Sequence, residues 1–505
     1  MVASRRSLGA ASALVGLAVL AYLANVVRLW PFTVDDSFIT LRYSRNLAHG
    51  LGPVFNDTGT RAEGYTSLSW MLLLALVHLL RLDAVTSAKA LGVAATCVTT
   101  GLVASWARWQ SRDDEAPSSV AAAAASAAYL SLVRTAVHSV SGMETAMFAL
   151  VTTAMLFAAA RLVRDPGARS PWALAGLSLL VGLTRPEGNL AVLCAAMVVW
   201  LLLPGAVRAR LVRAYFFGFG LPLGIYEIAR LRYYGLPFPL PFYVKLAGPE
   251  SLPGAEPVAL WLRSALRFGV PLVAFVVRPP RSSLPALAAV VALVVFFLLP
   301  EHLMGYDSRY LSPLDPTLSV LFGVGLARVL KQSRGRLGDV ARSVLALSLI
   351  AVAGGWSLAE RPLSIDARLA YARGLSRAHE ALGRDLSSLG LPRGRLALSD
   401  AGAIPYLSGW WALDLLGLNT TEIAVGGHRD PRWVLGHHPD VIVLVSRRRE
   451  AFAPSEWNAW EKKVFRAASE EGFTRVSVRQ FASDYWLWVL APRGSRAEQV
   501  LGRPR

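Results

Sequence analysis

The sequence predicts a polytopic α-helical membrane protein carrying an extracytoplasmic α/β domain at its C-terminal end. Three observations carry that expectation. Of 505 residues 54% are hydrophobic and the mean hydropathy is +0.42, too apolar for a single soluble domain. Apolar runs near spanning length recur from Leu8 to Leu358. The net charge of +18, from 52 Lys plus Arg against 34 Asp plus Glu, falls largely in short loops between those runs. That is the positive-inside pattern of a membrane protein, and it argues against nucleic acid as a partner.

The first run, Leu8 to Trp30, follows Arg5 and Arg6 and lacks a small-residue cleavage site, so it reads as an uncleaved signal anchor with the N-terminus inside. Leu68 to Leu80 makes only about 20 Å of helix, short of the roughly 30 Å hydrocarbon core, and reads as a juxtamembrane helix. The spans that follow are Ala88 to Ala107, Ser118 to Leu132, Met143 to Leu162, Trp172 to Leu183, Asn189 to Leu203, Ala214 to Ala229, Val258 to Val277, Leu284 to Leu299, Leu314 to Val329 and Val340 to Leu358. About eleven transmembrane helices result. This parity puts the Arg-rich segments Ala107 to Pro117, Arg161 to Ser170, Pro204 to Arg213, Arg278 to Ser282 and Arg328 to Arg342 inside, as the charge rule requires. The weakest span is Val258 to Val277, because Arg263 and Arg267 fall near mid-membrane unless they face water or an anion.

After Leu358 the composition turns charged and loses its long apolar runs. Residues 361–505 are expected to form the soluble domain, with residues 1–360 as the membrane domain. A helix is predicted over Ala367 to Leu389, and another around Pro454 to Glu471. Leu396–Ser399, Val441–Val445, Arg475–Arg479 and Trp486–Leu490 read as strands. Cys97 and Cys194 lie inside apolar runs without metal-ligand spacing, so neither a disulfide framework nor a zinc site is indicated. No phosphate-binding glycine loop or dinucleotide fingerprint occurs, which disfavours an ATP-driven pump or a cytosolic nucleotide-sugar enzyme.

The chemistry is expected in the first external loop, residues 31–67. Asp35 and Asp36 stand just past the first span, and partial burial of two adjacent carboxylates raises the pKa of one toward the range of a general base. The plainer reading makes Asp35 a helix cap with Asp36 in the first turn. The helix dipole favours keeping Asp36 ionised, leaving Asp35 as the base. Arg42, Arg61, Glu63 and Tyr65, candidate substrate contacts, crowd the same loop, which Gly50, Gly52, Gly59 and Gly64 divide into compact turns.

Asp35-Asp-Ser-Phe-Ile-Thr-Leu-Arg-Tyr43, Asn46-Leu-Ala-His-Gly50, Val54-Phe-Asn56 and Glu63-Gly-Tyr-Thr66 resemble the first external loop of the GT-C superfamily of polyprenyl-phosphate-dependent glycosyltransferases. The nearest likeness is to the mycobacterial terminal β-(1→2)-arabinofuranosyltransferase family. It extends to Ser141-Gly-Met-Glu-Thr145, to Thr184-Arg-Pro-Glu-Gly188, and to Ser399-Asp-Ala-Gly-Ala-Ile-Pro-Tyr406 in the soluble domain. The resemblance implies transfer of a sugar, arabinofuranose or another pentose or hexose, from a polyprenyl-phosphate donor to an envelope glycan or glycolipid. The reaction would run at the outer face of the cytoplasmic membrane.

The resemblance gives the base role to the pair Asp35 and Asp36. Arg185, Lys245 and Arg309 stand at the outer ends of spans, where they suit a lipid phosphate or else snorkel to headgroups or pair with nearby carboxylates, and Glu144, Glu187, Tyr310 and Asp400 are further candidate substrate contacts. Trp410 and Trp411 suit sugar rings or packing between domains. Ser141 with Glu144 also fits a helix capping box. A divalent cation is the one cofactor left open, with no ligand set assigned. The competing readings are a polyprenyl-lipid or sugar transporter, which calls for midplane polar sites and inverted repeats, and a non-catalytic envelope scaffold, which needs no paired Asp in an Arg-rich loop.

Overall fold

The protein is described by a computed structural model covering residues 2–112, 116–167, 169–246, 255–299, 305–333, 338, 348–349, 364–391, 394–456 and 459–502. Its first part is a bundle of apolar helices. The order is α1 (Val2–Leu29), α2 (Asp35–Ala48), α3 (Leu68–Leu79), α4 (Ala84–Ser111), α5 (Ser118–Leu130), α6 (Val133–Val140), α7 (Thr145–Arg164), α8 (Pro171–Thr184) and α9 (Gly188–Leu202). There follow α10 (Gly205–Tyr215), α11 (Leu221–Tyr234), α12 (Leu240–Leu246), α13 (Ala255–Ala265), α14 (Gly269–Val276), α15 (Leu284–Phe296) and α16 (Asp315–Gln332).

Local chemistry sets several of these ends. The Asp83 carboxylate accepts the Thr86 amide and opens α4, while Ser170 caps α8 with Pro171 in its first turn. Gly235, at φ 76°, closes α11 in the left-handed conformation that a side chain disfavours.

Five stretches among the described residues are long and apolar enough to cross a membrane: Ser12–Leu29, Ala84–Ser111, Thr145–Arg164, Ala255–Val276 and Tyr306–Gln332. The pair α5 and α6, bent by 61°, makes a sixth if it is one broken span. The chain is therefore a multi-pass membrane protein. Shorter apolar helices add to the bundle, among them α3, whose 12 residues reach only about 18 Å. Of the apolar run 340–358 only residues 348–349 are among those described.

Helix α16 is the centre of the bundle and packs on α5, α14 and α4. Gly323 and Gly325 approach the Ala121 and Pro271 carbonyls so closely that an added Cβ would collide with them. The small-residue face of the Ala121–Ala125 tract matches that approach. Near Arg263 and Arg267 the span is broken at Gly269, between α13 and α14; Arg263 is exposed, and Arg267 is buried with its guanidinium 4.8 Å from the Phe268 ring centre.

The second part starts with α17 (364–375), a π turn Ser376–Glu380 and α18 (Ala381–Ser388). A five-stranded sheet follows, built from β1 (Arg395–Leu398), β2 (Trp411–Asp414), β3 (Val441–Ser446), β4 (Phe473–Ala482) and β5 (Tyr485–Pro492) in the order β2-β1-β3-β5-β4. The first three strands are parallel, and the β4–β5 hairpin joins antiparallel. Strand β3 reads Val-Ile-Val-Leu-Val-Ser and is buried throughout, as expected for a parallel strand covered on both faces.

Four of these strands lie where sequence periodicity expects them. Strand β2 does not, because four residues after the Gly409 turn show no period to read. The helix expected around Pro454 to Glu471 is shorter, Glu461–Glu470.

The loop of residues 31–67 is wedged between bundle and sheet. The Arg42 guanidinium is buried; its Nε donates to the Phe55 carbonyl at 2.6 Å, its Nη1 to the Pro405 carbonyl, and its Nη2 to the Trp410 carbonyl at 2.7 Å and to Asn56 at 3.1 Å. Gly64 is packed so tightly on Leu418 and Asn419 that a Cβ would overlap both.

Candidate active site

One cavity of about 500 Å³ opens where the loop, the bundle and the sheet meet. Asp35, Asp36, Tyr65, Glu144, Arg309, Tyr310 and Asp400 line it, drawn from five separate stretches of chain. Helix α2 supplies the two aspartates from its first turn. Val34 is the N-cap, with extended backbone, so Asp35 is not the cap that the plainer sequence reading makes it. Its Oδ1 instead accepts the Ala403 amide at 2.8 Å, and its own amide donates to the Tyr371 hydroxyl at 3.1 Å. Burial pushes the Asp35 carboxyl up to about 6; the positive His379 and the Ala403 amide work against that rise, while the charges of Asp400 and Asp36 add to it.

On the bundle side, Glu144 is buried between two arginines. Its Oε1 accepts from Arg185 at 2.8 Å and from Arg309 at 3.3 Å, and Arg185 also holds Glu187 at 2.5 Å. The capping-box reading of Ser141 and Glu144 is thereby replaced, since the Glu144 carboxylate is committed to guanidinium groups and Ser141 donates to the His138 carbonyl. Arg309 lies 3.9 Å from Asp36, so it bridges the acidic loop and Glu144. It follows a sharp turn in which Asp307 and Ser308 both take left-handed backbone, at φ 47° and 53°. Asp307 is itself held by Arg368 at 3.1 Å and by Ser364.

The remaining expected residues sit elsewhere. Arg42 joins the loop to the sheet domain, and Arg61 stacks on Tyr233, 4.4 Å from its ring centre. Glu63 pairs with Arg230 at 2.7 Å. Burial pushes the Glu63 carboxyl up to about 7, although Arg230 opposes the rise. Arg185 and Glu187 stand behind Glu144 rather than on the cavity wall. The Lys245 side chain lies outside the described residues. Trp410 is buried against Gly394, and Trp411 donates its indole N–H to the Thr58 carbonyl and stacks on His437. Both tryptophans therefore pack the domain junction instead of offering a face to a sugar.

Sequence reasoning missed the C-terminal wall of the cavity beyond Asp400. Tyr371, His379, Arg447, Asp484 and Tyr485 all line it. His379 Nε2 lies 2.7 Å from Asp400 Oδ2, and the Tyr485 hydroxyl donates to Asp400 at 2.9 Å. Burial disfavours the charged imidazole, yet the Asp400 hydrogen bond and charge outweigh it and hold the His379 pKa above its ordinary value. Arg447 and Ser399 stand at the carboxyl ends of β3 and β1, the edge where parallel sheets present ligand sites, and that topological cue was available once the strands were read. His379 carries no such cue, lying inside an amphipathic helix pattern. Among the described residues no group of three or more His, Cys, Asp or Glu side chains is arranged to hold a metal ion.

A family model described as a domain of unknown function (DUF8728) matches residues 369–489. No curated protein matches the chain by sequence. Among solved structures, apo ArnT from Cupriavidus metallidurans is similar with a TM-score of 0.64 at 15% identity, over 99% of this chain and 100% of that one. ArnT bound to undecaprenyl phosphate gives 0.60 at 15% identity, over 98% and 99%. The archaeal oligosaccharyltransferase AglB from Archaeoglobus fulgidus, in complex with an inhibitory peptide and a dolichol-phosphate, gives 0.51 at 12% identity, over 85% of this chain and 69% of that one. The likeness establishes the fold: helical bundle and C-terminal sheet domain together follow ArnT over nearly the whole chain. It does not extend to the arabinofuranosyltransferase family.

Proposed function

We propose that this chain is an integral-membrane GT-C glycosyltransferase that moves a sugar from a polyprenyl-phosphate donor to a glycan or glycolipid of the cell envelope. The observation that carries the reading is the shared cavity, in which the half-buried Asp35 and Asp36 face Arg309 and Glu144 across the junction of bundle and sheet. The fold shared with ArnT, which binds undecaprenyl phosphate, and with AglB, which binds a dolichol-phosphate, supports a lipid-linked donor.

In the reaction the acceptor oxygen attacks the anomeric carbon of the donor. The bond from that carbon to the phosphate oxygen breaks, and polyprenyl phosphate leaves with the bonding electrons. Asp35 takes the acceptor proton, which suits a carboxyl whose pKa is about 6 and which is mostly ionised at neutral pH. Arg309 neutralises charge on the departing phosphate, and Glu144 fixes the guanidinium in place. Tyr310 and Asp400 line the cavity as candidate contacts to sugar hydroxyls, while Arg185, itself paired with Glu187, holds Glu144 from behind. The C-terminal domain stands at the outer face of the cytoplasmic membrane in this reading. The motif likeness favours a pentofuranose such as arabinofuranose as the sugar.

The test is incubation of the purified protein with a panel of polyprenyl-phosphate sugars and envelope glycan acceptors, measuring released polyprenyl phosphate. Release that needs both substrates supports the reading. Absence of release across pentose and hexose donors counts against it.

A further inference from the structure

The side chain best placed to act as base does not stand alone. Two features of the C-terminal domain converge on Asp35. The first is the turn that follows β1. The Ala403 amide donates to Asp35 Oδ1 at 2.8 Å, and Gly402 lies so close that an added Cβ would collide with both the Asp35 carboxylate and its backbone carbonyl. The second is the pair made by His379 and Asp400, 2.7 Å apart, with only 3% and 18% of their side chains exposed. Tyr485 fixes Asp400 from the other side. His379 stands in the π turn of its helix, an irregularity that often marks functional positions, and its Nδ1 is buried without a partner among the described residues. All these groups line the cavity that holds Asp35, except the backbone of residues 402 and 403, which braces it.

We propose that Gly402, Ala403 and the His379–Asp400 pair are positioning residues for Asp35: the turn orients its carboxylate, and the His379–Asp400 pair, on the wall of the same cavity, sets the charge around it. The inference deepens the glycosyltransferase reading and rests on it for its kinetic consequence, but not for its electrostatic one.

The charges facing Asp35 fix the sign. Asp36 on the same helix and Asp400 on the sheet side are negative, and Arg309 is engaged with Asp36 and Glu144. Tyr371 and Tyr485, also packed here, are neutral, with burial first among the causes that hold their hydroxyl pKa values well above normal. Arg447 and Asp484 line the same cavity with opposite charges, and His379, carried by the C-terminal domain, is the positive group that works against the rise of the Asp35 pKa. Replacing it with glutamine removes that charge and leaves a buried carboxyl among carboxylates, so Asp35 binds its proton more tightly.

A readout independent of activity exists, because hydrophobic carbodiimides add to protonated carboxyl groups. In the full-length protein, dicyclohexylcarbodiimide labelling of Asp35 is followed by peptide mass spectrometry against pH. The midpoint is expected to move up by about one pH unit or more in His379→Gln. An unmoved midpoint in a variant that keeps the wild-type melting temperature overturns the electrostatic half of the proposal. Should His379→Gln not fold, Tyr485→Phe loosens Asp400 with a smaller perturbation; it is expected to shift the midpoint, and a midpoint that stays at the wild-type pH overturns the same half.

Once turnover is in hand, Gly402→Ala is expected to lower kcat by roughly 10- to 100-fold with the donor KM unchanged, because the base is displaced and the phosphate site is not. Wild-type kcat in Gly402→Ala overturns the positioning half. If the wild-type protein transfers no sugar, the glycosyltransferase reading fails, while the labelling midpoint still decides this one.

Discussion

Arg309→Ala removes the cation that ties the acidic loop to Glu144, and its effect can be worked from the contacts it makes. The side chain is 6% exposed; Nη2 lies 3.3 Å from Glu144, Nη1 lies 3.9 Å from Asp36, and Nε has no partner among the described residues. A phosphate oxygen entering the cavity takes a charge-assisted hydrogen bond from this guanidinium, worth about 1.5 to 3 kcal/mol. That converts to an increase of roughly 10- to 150-fold in the donor KM. The acceptor KM should change little, since the contact lies on the bundle wall. Folding should survive, because Glu144 keeps Arg185 at 2.8 Å as a partner. Arg309→Lys should fall between wild type and alanine, as a compact ammonium cannot reproduce the fork that reaches Glu144 and Asp36 together. The assay is steady-state release of polyprenyl phosphate with donor and acceptor varied separately. A donor KM unchanged in Arg309→Ala, with the acceptor KM raised instead, refutes the assignment of this wall to the phosphate.

Three further outcomes are expected. Arg42→Ala should lower stability by about 3 to 5 kcal/mol, visible as a large fall in melting temperature, because it removes four hydrogen bonds from a buried guanidinium, to the Phe55, Pro405 and Trp410 carbonyls and to Asn56, at the joint between loop and sheet. The pH profile of kcat should lose activity on the acid side as pH falls through about 6, where Asp35 becomes protonated and no longer accepts the acceptor proton; a flat profile from pH 5 to 7 speaks against it as base. In a background lacking Cys97 and Cys194, an impermeant thiol reagent added from outside should label a cysteine at the exposed position Glu450 and spare one at the exposed position Arg210; the reverse pattern inverts the topology.

The apolar runs and their charged loops made the membrane bundle legible, since hydrophobic length and Arg placement act locally along the chain. Strands β1, β3, β4 and β5 were equally readable from their apolar residues, whereas β2 was too short to show a period. The acidic loop announced itself by composition, and the cavity does contain Asp35 and Asp36. What the sequence could not reveal is partnership across long separations. Arg42 looked like a substrate residue because it stands among others, yet it spends every donor group on backbone and Asn56 across the domain joint. Glu144 fitted a local capping pattern, but the two arginines that claim its carboxylate lie 41 and 165 residues away. His379 and Tyr485 reach the site only because the sheet domain folds back onto α2, a tertiary event with no local signature.

The most direct measurement of the central claim is polyprenyl-phosphate release by wild type, Asp35→Asn, Asp36→Asn and the double variant, at equal amounts of folded protein and saturating substrates. Asn keeps the shape of Asp and removes only its charge and basicity. The account predicts that Asp35→Asn lowers kcat by roughly 10² to 10⁴ with little change in donor KM. Asp36→Asn should act mainly through the acceptor KM, and the double variant should be silent. Release by the double variant at a rate near wild type contradicts the assignment of this cavity as the catalytic centre.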